Sequence, residues 1–166
     1  MIELGSKKIC SGYVTDIITE QSIKWLKQRD QNKPFMLMCH HKAPHRPWEP
    51  SKQYANLFED MKIPEPETLY DDYSNRSSAA AAAAMRVNRD LTPTDLKQDP
   101  PEACSGDALT AWMYQRYIKD YLRCVQSVDD SVGSLLDFLE SDGLLDETII
   151  IYTSDQGFFL GDHGWY

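Results

Sequence analysis

The 166-residue chain predicts an α/β fold, a mostly parallel sheet flanked by helices. Three observations carry this expectation. Phe35-Met36-Leu37-Met38-Cys39 and Thr148-Ile149-Ile150-Ile151-Tyr152-Thr153 are short, nearly continuous apolar runs. Such runs suit strands covered on both faces, as in a parallel sheet. Between them lies a long helical pattern, and the order helix, strand, loops, helices, strand is that of a layered α/β domain.

Each element follows from local pattern. Residues 14–29 predict a helix whose narrow face is Val14, Ile18, Ser22, Trp25 and Leu26, with Thr15 or Asp16 capping its start. Lys33-Pro34 introduces the first strand. Residues 40–75 are rich in Pro, His, Asp and Tyr, and Pro44, Pro47, Pro50, Pro64 and Pro66 forbid a long helix there. One or two helical turns are expected over 51–58. The alanine tract 79–84 predicts a helix over 76–89 by propensity, and 91–106 reads as a polar loop. Residues 108–141 predict the longest helix, with Ile118, Leu122, Val125, Val132, Leu135, Leu136 and Leu139 as its apolar stripe. Gly133 is its weak point and Gly143 its stop. Tyr114, Tyr117 and Tyr121 read as packing residues. Trp48 suits either a pocket wall or an anchor for its loop.

Composition narrows the function. A net charge of −9 argues against nucleic acid as a partner and against unaided attachment to anionic membranes. No apolar run approaches the ~20 residues that span a bilayer. The residues after Met1 lack the basic start and apolar core of a signal peptide. Cys10, Cys39, Cys104 and Cys124 are widely spaced and form no C-x-x-C pair, so they read as thiols rather than as a zinc or redox motif.

Two clusters stand at the carboxyl ends of the two expected strands, where open α/β sheets bind ligands. The first is His40-His41-Lys42-Ala43-Pro44-His45-Arg46-Pro47, a positive island in an acidic chain. Lys and Arg bind oxyanions, and His donates hydrogen bonds or moves protons. The second joins Asp155-Gln156 to Asp162-His163 across a glycine-broken loop. A carboxylate and an amide carbonyl are hard oxygen ligands suited to Ca²⁺ or Mg²⁺. A cation beside an anion-binding patch suits hydrolysis of a phosphate or sulfate ester.

These motifs resemble the type I sulfatases of the alkaline phosphatase superfamily. The resemblance rests on Gly12-Tyr13-Val14-Thr15-Asp16, His41-Lys42-Ala43-Pro44-His45-Arg46-Pro47, Val128-Asp129-Asp130-Ser131-Val132-Gly133, Tyr152-Thr153-Ser154-Asp155-Gln156-Gly157 and Leu160-Gly161-Asp162-His163-Gly164. It implies an alkaline-phosphatase-like α/β/α fold and hydrolysis of sulfate esters with a formylglycine nucleophile and Ca²⁺. His45 would contact the sulfate or the leaving-group oxygen, and Lys42 and His163 match polar positions near the sulfate. Asp155 would ligate calcium. Gln156 stands where the family often has Asn, or His in some members; its side-chain oxygen could serve as a ligand, a mild departure.

The sequence also departs from that pattern. Formylglycine arises in a C/S-x-P-x-R motif, and no such motif occurs in these 166 residues. The acidic pair that supplies the other calcium ligands and the lysine that follows the Gly-Asp-His-Gly loop are likewise not found. The expectation is that residues 1–166 are the central part of a single sulfatase catalytic domain. They would lack the N-terminal nucleophile segment and the C-terminal subdomain and be inactive alone. The expected substrate is a sulfated small molecule or glycan, and the family implies a periplasmic, secreted or lysosomal parent. Two rivals stand beside this reading: a phosphoesterase or phosphonate hydrolase of the same superfamily, and a non-catalytic anion-binding protein.

Overall fold

The structure, a computed structural model, describes residues 5–166, and residues 2 and 3 through their backbone. Residues 1 and 4, part of the stretch read for a signal peptide, lie outside the described residues. In chain order the elements are β1 (Ile2–Glu3), β2 (Ser6–Lys7), α1 (Val14–Gln28), α2 (Ser78–Ala82), α3 (Pro93–Leu96) and α4 (Gly106–Ser141). Short 3₁₀ turns occur at Lys52–Tyr54, Leu145–Glu147 and Asp162–Gly164. No helix among the described residues is long and apolar enough to cross a membrane. The chain divides into two compact units, each with its own core.

The first unit comprises Met1–His45, Pro50–Ala55 and Arg123–Ile150. Here β1 and β2 pair antiparallel, Ile2 opposite Lys7 and Glu3 opposite Ser6. Helix α1 starts at Tyr13, which has extended backbone and makes no side-chain cap. Thr15, expected as a cap, is instead buried inside the helix. The buried face is Thr15, Thr19, Ser22 and Leu26, rotated from the expected stripe, and Val14 and Trp25 are exposed. Hydroxyl bonding explains the rotation. Thr19 Oγ1 donates to the Thr15 carbonyl at 2.8 Å and lies 2.6 Å from Ser131 Oγ on α4, and Ser22 Oγ donates to Cys39 Sγ at 3.4 Å, so two of the three inward hydroxyls are satisfied.

The C-terminal half of α4 ends as expected. Gly143 has φ +67°, its N–H reaches the Glu140 carbonyl at 3.0 Å, and the Leu144 N–H reaches that of Leu139 at 2.8 Å. That is a Schellman cap, which needs the left-handed backbone glycine adopts without strain. Asp129 and Asp130 both face solvent.

The expected parallel sheet does not form among the described residues. Residues 35–39 and 148–153 run without ladder partners. Along the first run Met36 and Met38 are 77% and 67% exposed, while Phe35, Leu37 and Cys39 are partly covered. Phe35 meets Trp25 edge-on at 6.3 Å and lies under the Arg29 guanidinium. One face of this segment is thus covered and the other open. In the second run Ile149 and Ile151 are 91% and 79% exposed. Chains this apolar on two faces need neighbours on two faces.

The second unit comprises Arg46–Glu49, Asn56–Leu122 and Ile151–Tyr166. Its core is aromatic. Trp48, fully buried, contacts Tyr117, Phe158 and Tyr166 at centroid distances of 4.5, 5.8 and 5.7 Å. Trp48 is therefore an anchor, and Tyr114 and Tyr117 are packing residues, buried to 3% and 0% exposure. The helix expected over 76–89 shrinks to α2. Beyond it the Val87 N–H bonds to the Gly164 carbonyl at 2.9 Å and the Tyr166 N–H to that of Met85 at 3.0 Å. The exposed alanine tract has no apolar face to extend the helix, and tertiary pairing wins over propensity. Within the expected loop 91–106, α3 appears because Thr92 and Asp95 form a capping box around Pro93.

Candidate active site

The first cluster begins where the partly covered run 35–39 delivers His40 and His41. The His45 N–H closes a tight turn on the Lys42 carbonyl at 2.9 Å, and the Ala43–Pro44 and Arg46–Pro47 peptides are cis. Lys42 and His45 thus share one turn, and both are exposed. His41 faces inward instead. Its Nε2 lies 2.9 Å from Ser131 Oγ and 3.6 Å from Cys39 Sγ, and its Nδ1 is buried without a partner among the described residues. Burial pushes the His41 imidazole below its ordinary pKa. It pins the loop to α4 and stays neutral near pH 7.

In the second unit, Arg46 is committed to protein contacts. Its Nε donates to Asp95 Oδ1 at 3.0 Å, a second nitrogen donates to Asp95 Oδ2, and a third reaches the Tyr166 hydroxyl at 2.6 Å. The positive island read from the sequence therefore gives its Arg46 charge to an internal carboxylate. Its exposed members are His40, Lys42 and His45.

Asp155 and Gln156 lie exposed on the irregular segment after residue 153. Ser154 Oγ donates to the Gln156 carbonyl at 2.5 Å and accepts from the Gln156 N–H at 3.3 Å, an ordered local turn. Phe158, packed between Trp48 and Tyr121, fixes the chain beyond it. The two side-chain oxygens are of the hard type that calcium prefers. Among the described residues no three His, Cys, Asp or Glu side chains converge as a metal cage.

His163 sits in the 3₁₀ turn Asp162–Gly164 with left-handed backbone, φ 54°. Its N–H donates to Thr68 Oγ1 at 2.9 Å, and its carbonyl accepts from the Tyr73 hydroxyl at 2.6 Å and from Arg86 at 3.1 Å. Its ring Nδ1 lies 2.8 Å from Asp71 Oδ2. Asp71 also accepts from the Tyr73 N–H at 2.9 Å and from Arg76 at 3.0 Å, and these bonds, the backbone one foremost, hold its carboxyl below the usual range. Thr68, Asp71, Tyr73 and Arg86 belong to loops whose sequence gave no hint of this role. The only signal is a pair of Asx turns, in which the Tyr73 and Ser74 N–H groups bond to the Asp71 and Asp72 side chains.

The Sulfatase family model matches residues 5–165. The chain is 40% identical to an N-acetylglucosamine-6-O-sulfatase of Bacteroides thetaiotaomicron, over 99% of this chain and 37% of that protein. It is 28% identical to an arylsulfatase of Clostridium perfringens, over 92% of this chain and 28% of that protein. It is 30% identical to the multifunctional alkaline phosphatase superfamily protein PehA of Trinickia caryophylli, over 87% of this chain. A solved structure with bound D-glucosamine-2-N,6-O-disulfate, described as its substrate, superposes at a TM-score of 0.92 with 40% identity, covering 98% of this chain and 41% of that one. The chain thus spans about two fifths of the length of these first relatives. With the family model matched along almost its whole length, this chain belongs to the sulfatase family.

Proposed function

We propose that residues 1–166 form the central, ligand-facing part of a sulfuric ester hydrolase whose substrate is a glucosamine sulfated at O6. The observation that supports this most is the close likeness to a solved protein holding a 6-O-sulfated glucosamine. Lys42 and His45, exposed on one tight turn, suit the sulfate oxygens and the leaving-group oxygen. Lys42 brings a fixed positive charge, and His45 gives a proton to the departing sugar oxygen. His163 acts from its clamped turn. Asp155 and Gln156 provide two oxygens for Ca²⁺, leaving roughly four to six positions to other donors. When bound, that ion would neutralise charge on the sulfate. The formylglycine nucleophile would come from a segment outside these residues. So would the strands that flank the open runs at 35–39 and 148–153, completing a parallel sheet.

A phosphoesterase activity is the second reading, favoured by the likeness to PehA. Assaying the complete gene product on N-acetylglucosamine 6-sulfate and on the matched 6-phosphate separates the two. A kcat/KM higher for the sulfate supports the proposal. Preference for the phosphate, or no turnover of either ester, overturns it. The 166-residue chain alone is expected to release no sulfate.

A further inference from the structure

We infer that Asp71 is a positioning residue that fixes His163 as the Nδ1–H tautomer, so that Nε2 presents a lone pair and acts as a hydrogen-bond and proton acceptor. The geometry decides the proton's place. Asp71 Oδ2 lies 2.8 Å from Nδ1. Were Nδ1 bare, two lone pairs would face each other at that distance. With a proton on Nδ1, the contact is a hydrogen bond to an ionised carboxylate, a strong type.

Arg76 lies 3.2 Å from Nδ1 and 3.0 Å from Asp71 Oδ2. It cannot donate to a nitrogen that itself donates, so its proton goes to Asp71. Asp71 then collects bonds from His163, from Arg76 and, through Oδ1, from the Tyr73 N–H. The backbone that carries the ring is held, with the His163 N–H tied to Thr68 and its carbonyl to Tyr73 and Arg86. The other charged neighbour on this turn is Asp162, itself bonded to Thr68 Oγ1 at 3.1 Å.

The consequence reaches the chemistry. A lone pair on Nε2 does not bond to a sulfate oxygen, which is also an acceptor. It takes a hydrogen bond, or a proton, from a hydroxyl. On the sulfatase reading, on which this role rests, His163 therefore faces a hydroxyl of the sugar or of the nucleophile rather than the sulfate itself.

The test is ¹⁵N NMR of the full chain labelled in its histidine rings, with His163 assigned by its loss in His163→Gln. At pH 7.5 the wild-type ring is expected to show a protonated Nδ1 and an unprotonated Nε2. Asn offers either an acceptor or a donor, so Asp71→Asn should lower the ratio of the Nδ1–H to the Nε2–H form at least tenfold. An Nε2–H tautomer or an imidazolium in the wild type overturns the inference. So does an unchanged ratio in Asp71→Asn. The readout does not depend on turnover, so it stands or falls apart from the sulfatase assignment.

Discussion

The Arg46 guanidinium grips the Asp95 carboxylate with two nitrogens while Thr92 donates to the same carboxylate from its N–H at 2.8 Å and its hydroxyl at 2.6 Å. One carboxylate thereby caps α3 and anchors the residue that follows His45. Burial pushes the Asp95 carboxyl up, but the bonds from Arg46 and Thr92 outweigh it and hold the group below the ordinary value. The folded pKa is depressed, so this stability is present above the unfolded pKa of ~3.9 and is lost as pH falls through the lower folded value. Asp95→Ala should cost about 2–3 kcal/mol, less than a fully buried pair, because Arg46 keeps 31% exposure. Urea unfolding at pH 7 and pH 3 checks both statements: the gap between wild type and variant should narrow at the lower pH.

Tyr117 carries a hydroxyl that is buried without a partner among the described residues, in an aromatic core where burial drives its phenol far above the ordinary pKa. Removing an unpartnered buried hydroxyl removes a desolvation penalty. Tyr117→Phe should therefore be neutral or stabilising by up to ~1 kcal/mol, whereas Trp48→Ala should cost about 3–5 kcal/mol. A Tyr117→Phe loss above ~1 kcal/mol in thermal unfolding would show that the hydroxyl has a partner after all.

Three glycines should respond in opposite directions. At Gly161, φ +99°, an added Cβ would meet Tyr114 Cε2 at 2.6 Å, and at Gly164, φ +71°, the Leu69 carbonyl oxygen at 2.9 Å. Gly161→Ala and Gly164→Ala should each destabilise by more than about 1 kcal/mol. Gly133 lies inside α4 with open space at its Cβ position. Gly133→Ala should stabilise by about 0.5–1 kcal/mol through helix propensity. Midpoints of thermal unfolding test the signs directly.

Helices α1 and α4 are legible in the sequence because their apolar residues recur at helical steps, and Gly143 marks a real Schellman cap. The buried face of α1 is not legible, because Thr19 bonds to Ser131, 112 residues away, and Ser22 to Cys39, 17 residues away. Helix α3 carries its signal in Thr92-Pro93-Thr94-Asp95, a capping box hidden in a polar stretch. The runs 35–39 and 148–153 carry a strand pattern, but no strand forms there among the described residues, because pairing needs neighbours, which local pattern does not supply. Lys42, His45, Asp155 and Gln156 lie exposed on their loops. Arg46 and His41 look alike in sequence to Lys42 and His45, and only their distant partners Asp95 and Ser131 turn them inward. Asp71 lies 92 residues from His163, so no local spacing reveals the pair.

Exposed apolar chain has a further consequence. Ile149 and Ile151 offer an apolar, unpaired backbone edge, the template on which chains associate. The 166-residue chain should self-associate, and the double substitution Ile149→Lys and Ile151→Lys should suppress it. Light scattering against concentration reads this; equal association of the two proteins would contradict it.

The most direct test grafts residues 1–166 in place of the matched segment of the Bacteroides N-acetylglucosamine-6-O-sulfatase and measures sulfate release from N-acetylglucosamine 6-sulfate. The account predicts that the chimera retains activity within about tenfold of its parent and that His45→Ala lowers its kcat by ~10²–10⁴. A chimera that folds with its parent's stability yet releases no sulfate, or one indifferent to His45→Ala, would contradict it.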